Sequence, residues 1–382
     1  MEFGVFQGAG VGPKPWDESE PKRLREDIEM GVFAEKCGID YFWAPEHHFL
    51  EDYSHNSASH LSCLAVGMRT ERIRLSTGIF NLCPPINHPV RVAEQIAIID
   101  VLTNGRIELG TGRGSGSTEI NGFGVTNEQS RAMWEESIRA IPKMWTQDLF
   151  SWEGEHFSVP ERSVIPKPVQ RPHPPLWVTA SNPATVEVAG KMGIGVAVFN
   201  FAGPEQLKPL VDTYKNAISE AEPVGEFVYD KIMALSRMVC LEDGDRARKA
   251  FAKGANDSSP YFAIYFDTIP ANFAEHADVP RPIPQSVLRQ WTAERKEKMK
   301  DAKGNPGHGG FFTEEDLTPE FLHSQGFSVG SPDEVIETIK EFEAIGLDQL
   351  CFVPRQGFRD PLEQTFESMQ TLGEQVLPHF RN

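Results

Sequence analysis

An α/β fold, a (β/α)8 TIM barrel with insertions, is what this sequence predicts, and three observations carry the prediction. Eight short apolar runs have strand length, segments of helical periodicity lie between them, and several runs end abruptly in titratable or glycine-rich turns. The runs are Phe3–Phe6, Tyr41–Ala44, Ile73–Ile79, Arg106–Gly110, Leu176–Ala180, Gly195–Phe199, Met233–Leu241 and Gln349–Val353. Between them, Glu20–Cys37, Val90–Leu102, Asn127–Trp145, Pro183–Met192 and Pro204–Glu222 carry helix-period apolar positions with capping or Pro/Gly signals at their ends. Strands alternating with helices argue for a parallel sheet with helical crossovers. An open doubly wound sheet is the competing arrangement, and eight runs alone do not exclude it.

The first run follows Met1-Glu2 directly, with no basic or apolar leader segment, so a cytoplasmic protein is expected. The second run, Tyr41-Phe42-Trp43-Ala44, stops at Pro45-Glu46-His47-His48-Phe49. In a barrel the catalytic groups come from the carboxyl ends of strands, where His47 and His48 would sit. Consecutive side chains on an extended segment point to opposite faces, so one histidine at most looks into a given pocket while the other packs elsewhere. A His pair at a strand end also serves as a structural pair, and the motif alone does not separate the two roles.

After the fourth run comes Gly110-Thr111-Gly112-Arg113-Gly114-Ser115-Gly116. Alternating glycines let the backbone turn sharply and approach a ligand, and Arg113 offers a planar donor fork suited to phosphate. The stretch is neither a P-loop nor a G-x-G-x-x-G fingerprint, and a strand-to-helix turn with a solvated Arg accounts for it equally well. The fifth run passes into Thr179-Ala180-Ser181-Asn182-Pro183-Ala184-Thr185, where Ser181 and Asn182 are favoured caps and Pro183 suits a first helical turn. Such a helix start can receive an anion, although most capped helices bind nothing.

The 382 residues exceed the roughly 250 of a bare barrel, so insertions are expected within a single domain spanning 1–382. One is a hairpin near 149–168, with Trp152 and Phe157 around Glu153-Gly154-Glu155; packing is the simpler role for its aromatics. The other, near 257–327, holds Pro270, Pro280, Pro282 and Pro284, a charged helical stretch at Thr292–Lys303 and then Gly304-Asn305-Pro306-Gly307-His308-Gly309-Gly310, a composition suited to a lid. A formal charge of -18 disfavours nucleic acid or an anionic membrane as partner. No segment has the roughly 18 consecutive apolar residues of a membrane span. The five cysteines, Cys37, Cys63, Cys83, Cys240 and Cys351, are scattered without C-x-x-C spacing and read as core thiols.

In order and spacing the chain resembles the bacterial luciferase-like flavin monooxygenases from Met1 to about Phe380. The matching residues are Glu46-His47-His48-Phe49, His88-Pro89-Val90-Arg91 with Asp100 and Gly105-Arg106, Gly112-Arg113-Gly114, Ser130-Arg131-Ala132, Pro172-His173-Pro174-Pro175, Thr179-Ala180 and Val329-Gly330-Ser331-Pro332. The resemblance implies a two-component oxygenase. FMN, reduced by a separate NAD(P)H:flavin reductase, would react with O2 to give a flavin 4a-(hydro)peroxide that oxygenates a small organic substrate. It assigns His47 to the catalytic chemistry, Arg113 and Arg131 to the FMN phosphate and Thr185 to a phosphate-binding hydroxyl. It also places a non-prolyl cis peptide at Gly78-Ile79 beneath the flavin ring, with Ala180, Ser181 and Asn182 beside the cofactor. Ser181 and Asn182 depart from the Glu-Ser pair expected there, though both supply polar groups.

The resemblance further implies a homodimer, for which Asn56–Met68, with Leu61, Leu64, Ala65 and Met68 at helical spacing, offers an apolar face. Other functions stay open at this point: a deazaflavin-dependent hydride-transfer enzyme of the same barrel family, and a non-catalytic flavin-binding protein. A metal-dependent hydrolase is disfavoured, because His47, His48, Asp52, His55 and His60 fit no standard zinc spacing. No metal site is expected.

Overall fold

The computed structural model describes residues 1–8, 10–114, 117–263, 265, 282–299 and 312–381. Eight parallel strands close a barrel: β1 (Glu2–Phe6), β2 (Tyr41–Ala44), β3 (Arg74–Thr77), β5 (Ile107–Gly112), β8 (Leu176–Ala180), β9 (Gly195–Phe201), β10 (Ile232–Cys240) and β12 (Gln349–Val353). Closure is made by β12 pairing with β1, Glu2 opposite Gln349, and by β10 pairing with both β9 and β12. Two short strands attach to this ring: β4 (Phe80–Asn81) runs beside β5, and β11 (Ser328–Gly330) beside the end of β10. The remaining pair, β6 (Phe150–Glu153) and β7 (Ser158–Arg162), is an antiparallel hairpin off the barrel.

All eight apolar runs are therefore barrel strands, and the open sheet is excluded. Several boundaries shift by one or two residues, and two of the shifts involve glycine. The run Ile73–Ile79 stops at Thr77, before the cis peptide between Gly78 and Ile79, while β5 continues past Gly110 through Thr111 and Gly112. A Cβ on Gly110 would lie 1.9 Å from the Thr77 carbonyl oxygen, and one on Gly112 would lie 2.6 Å from Ile79 Cδ1. Glycine there permits close approach of two strands, so it marks packing and not a bend.

Side chains alternate along each strand between two apolar layers. Phe42 and Ala44 face the helices, in a core shared with Val66, Ile96 and Ile138. Tyr41 and Trp43 face the barrel interior, where Trp43 meets Trp177 edge-on at 5.2 Å. At the amino-terminal end of the interior, buried Glu108 pairs with Arg74 and accepts hydrogen bonds from Trp177 Nε1 at 2.5 Å and from the Tyr229 hydroxyl. This plug fills the bottom of the barrel and leaves the opposite mouth for a site.

Of the two insertions, the hairpin packs as its aromatics suggest. Trp152 stacks on Phe157 at 6.0 Å and donates from Nε1 to Glu136 on the helix Asn127–Thr146. In the second insertion, residues 264, 266–281 and 300–311 lie outside the described residues, and with them part of the proposed lid, including Pro270, Pro280 and Gly304–Gly310. The charged helix begins earlier than Thr292, at Gln285, and runs to Met299. The reason is apolar anchoring: Leu288 and Trp291 are buried against Leu50 and Tyr265, while Arg289 pairs with Glu51. Among the described residues no helix is long and apolar enough to cross a membrane.

Candidate active site

The carboxyl ends of β2, β3, β5 and β8 surround a cavity of about 540 Å³. At the end of β2 the backbone of His47 is fixed by its N–H on the Asn56 carbonyl at 2.8 Å. Its ring Nδ1 lies 3.0 Å from Glu119 Oε1, and the same oxygen accepts the His48 N–H at 2.9 Å. One carboxylate thus fixes the ring orientation and the loop carrying it. The carboxylate at Nδ1 sets the orientation in which the His47 ring borders the cavity. Tyr53 abuts the ring edge-on at 5.7 Å.

His48 turns the other way. Its Nε2 lies 3.2 Å from Glu46 Oε1 and its ring meets Phe123 edge-on at 5.0 Å. Burial pushes the Glu46 carboxyl above its ordinary pKa, against the opposing pull of His48, of Asn87 Nδ2 at 2.8 Å and of the Asn81 N–H. Both His47 and Glu46 border the cavity, whereas His48 does not.

The floor is the cis Gly78–Ile79 peptide, held by the Gly78 N–H on the Ala44 carbonyl at 2.6 Å. A Cβ on Gly78 would sit 3.2–3.3 Å from the rings of Phe6, Phe199 and Trp43, so a flat slot remains only because glycine stands there. The polar end lies on the opposite side. Arg113 Nη1 donates to the Asn127 carbonyl at 3.3 Å and to Ser130 Oγ at 3.4 Å, while Arg131 Nε donates to Glu135 at 3.1 Å. Such long or exposed contacts leave both guanidinium groups with donors to offer.

Ala180, Ser181, Asn182 and Thr185 border the same end, where the helix Pro183–Lys191 begins. Asn182 is its cap; Ser181 is not. Asn182 Oδ1 accepts the Thr185 N–H at 3.0 Å and the Thr185 hydroxyl at 3.2 Å. Pro183 has no N–H and the Thr185 amide is spent on the cap, so this helix start offers an anion fewer amides than an uncapped one.

The cavity thus gathers His47, Gly78, Ile79, Arg113, Arg131, Ala180, Ser181, Asn182 and Thr185, residues drawn from strand ends, loops and helix starts far apart in sequence. A flat apolar slot with a carboxylate-held histidine beside it and two arginines at its far end suits a planar ring system with an anionic tail. Among the described residues no group of three His, Cys, Asp or Glu is placed to hold a metal ion. The sequence reading overlooked Glu119, Tyr53 and Arg237. Glu119 contacts His47 across 72 positions, and nothing local marks it. Arg237 did carry a signal, as a lone charge inside the apolar run Met233–Leu241.

Comparison with known proteins finds relatives over nearly the whole chain. The family described as luciferase-like monooxygenase matches residues 1–349. The oxygenase component of flavin-dependent trigonelline monooxygenase from Acinetobacter baylyi is 26% identical over 368 residues, covering 95% of this chain and 92% of that protein. The F420-dependent glucose-6-phosphate dehydrogenase of Rhodococcus hoagii is also 26% identical, covering 91% and 92%. Among solved structures, the oxygenating constituent of 3,6-diketocamphane monooxygenase from Pseudomonas putida, a type II Baeyer-Villiger monooxygenase in complex with FMN, superposes with a TM-score of 0.71 at 22% identity, covering 99% and 98%. By the match of its family model across most of its length, the chain belongs to the luciferase-like monooxygenases.

Proposed function

We propose that this chain is the oxygenase component of a two-component system: it takes reduced FMN from a separate NAD(P)H:flavin reductase and uses O2 to oxygenate a small organic substrate. The observation that carries the reading is one cavity bordered by the carboxylate-held His47 and, across a flat floor, by Arg113 and Arg131. Reduced FMN, when bound, supplies the electron pair that activates O2. Arg113 and Arg131 hold the phosphate through charge-assisted hydrogen bonds, with Ser181 and Thr185 contributing hydroxyls. Gly78, Ile79 and Ala180 line the cavity that would take the ring, and Phe6 and Phe199, which line it too, would exclude water there. His47, with Nδ1 anchored on Glu119, borders the cavity and would hold or deliver a proton there.

The listing of an F420-dependent dehydrogenase among the relatives favours a second reading, hydride transfer to or from a deazaflavin without oxygen. Anaerobic titration with reduced FMN, followed by an oxygen pulse and an absorbance readout, separates the two. Tight binding and an oxygen-dependent transient support the oxygenase; binding of reduced F420 alone, unchanged by oxygen, overturns it.

Two further features belong to the proposal. The helix Ser59–Gly67 and the neighbouring Pro89–Leu102 expose Leu61 (57%), Met68 (60%), Ile98, Val101 and Leu102, an apolar face that supports a homodimer. All five cysteines are free thiols, which supports a cytoplasmic setting where thiols stay reduced.

A further inference from the structure

A second, smaller cavity of about 110 Å³ adjoins the first and shares Phe6, His47, Tyr53, Phe201 and Phe262 with it. Whatever occupies the small cavity therefore sits against His47 and beside the flavin slot. Its walls are mainly aromatic and apolar, completed by Val353 and Phe358, yet two arginines reach it from the ends of β10 and β12: Arg237 and Arg355. We propose that this cavity is the substrate subsite and that it takes an organic carboxylate, anchored by Arg237. The proposal rests on the oxygenase reading and names the class of its substrate.

Arg237 stands between Ser236 and Met238 in a strand whose other residues are all buried. Part of its surface lines the cavity, but Nη1 is closed to solvent and has no hydrogen-bond partner among the described residues. No carboxylate pairs with it among those residues either. The guanidinium is nonetheless held in place, lying 4.9 Å from the Phe201 ring centre and 5.8 Å from that of Phe327. Stacking on two rings fixes the plane of the fork while leaving its edge for a planar anion. Burial pulls its pKa down to about 10, so it remains a cation at neutral pH.

An unpaired buried charge is unfavourable to folding, and a partner delivered with the ligand resolves the imbalance. Arg355 adds to it. Its side chain is 2% exposed, and although Nη1 lies 3.0 Å from Glu26 Oε2, none of its nitrogens is in hydrogen-bond geometry with any described group. Glu26 is also the partner of Arg23 Nη1 at 2.6 Å, so one carboxylate is shared between two arginines. Asp27 and Asp360 also lie within electrostatic reach of Arg355, so the anchoring role falls to Arg237. The limited volume and the aromatic walls favour a carboxylate on an apolar body over a phosphate ester.

Calorimetry on the full chain, with and without FMN, tests this with benzoate, cyclohexanecarboxylate and hexanoate, each against its primary amide, and with inorganic phosphate. At least one carboxylate is expected to bind about tenfold or more tightly than its amide, the scale of a charge-assisted hydrogen bond. Arg237→Gln and Arg237→Met should abolish that preference and leave FMN affinity unchanged. Arg237→Met should also raise the melting temperature, because it removes an unpaired charge; a merely structural arginine would lower it. Arg237→Lys, which keeps the charge but not the fork, should retain part of the preference and covers the case in which the Met variant fails to fold. Amides binding as well as every carboxylate, phosphate outcompeting them all, or a preference that survives Arg237→Gln would overturn the proposal. FMN binding without any carboxylate preference removes this inference alone, whereas a carboxylate preference without FMN binding removes the oxygenase reading alone.

Discussion

Glu119 holds the His47 ring through Nδ1 and the His48 backbone through its N–H, so the two adjacent histidines are set by one acid from a distant loop. Because His47 borders both cavities and His48 bonds Glu46 away from them, the two should respond differently to deletion. His47→Ala should lower coupled turnover with reduced FMN by about 10²–10⁴-fold, the usual range for a proton-transfer group, with little change in melting temperature. Undiminished coupled turnover would remove His47 from the chemistry. His48→Ala leaves the buried Glu46 short of a partner and should cost about 1–3 kcal/mol of stability in chemical denaturation. At the polar end, Arg113→Glu should weaken FMN by roughly tenfold or more while affecting riboflavin far less, since only FMN carries the phosphate; equal losses in a fluorescence titration would place the arginine's role elsewhere. His47, Arg113 and the cap residues stand out in the sequence because each follows an apolar run, whereas Arg131 is pointed to only by the family resemblance. Glu119 and Tyr53 do not stand out, because their relation to His47 exists only once the loops converge.

At the scale of elements, the strand pattern was read nearly whole because period-two apolar runs and helical crossovers leave few other packings. The misplaced boundaries at Gly78 and Gly112 show what local reading lacks. A glycine that admits a neighbouring carbonyl, as Gly110 admits that of Thr77, looks in sequence the same as a glycine that turns the chain. The start of the helix Gln285–Met299 was misjudged similarly, since its anchor is the contact of Leu288 and Trp291 with Leu50 and Tyr265. The bottom of the barrel gives the sharpest test of what these elements need. Glu108 is fully buried and joins β5 to Arg74 of β3, Trp177 of β8 and Tyr229. Removing one partner of a buried ion pair strands the other, so Glu108→Ala should cost about 3–5 kcal/mol in denaturant unfolding. Affinity for FMN in the folded fraction should stay unchanged, because the plug lies at the end of the barrel remote from the arginines. A stability loss below about 1 kcal/mol would mean that Arg74 finds other partners or water.

For the whole molecule, the question left by a closed barrel is why an apolar face remains outside it. Leu61 and Met68 come from the helix Ser59–Gly67, and Ile98, Val101 and Leu102 from the helix Pro89–Leu102 packed beside it; each is more than a third exposed. Their inward-facing neighbours Cys63, Val66, Ile96 and Ala97 are wholly buried in the main core, so the barrel has already used the opposite sides of both helices. Under two-fold symmetry a second copy would cover these exposed side chains, because each helix pair would then meet an identical pair. Sedimentation at micromolar concentration should therefore give a mass near twice the 42.7 kDa of one chain. The double substitution Leu61→Glu, Met68→Glu places four like charges at that interface in a two-fold assembly and should yield the monomer, with the barrel still folded since both positions are exposed. Because Glu119, the loop after β2 and the phosphate end all lie within one chain, the monomer should keep its FMN affinity within about two- to threefold, the ordinary context-dependence of a remote substitution. A native protein sedimenting at the mass of one chain would show that this face serves another partner.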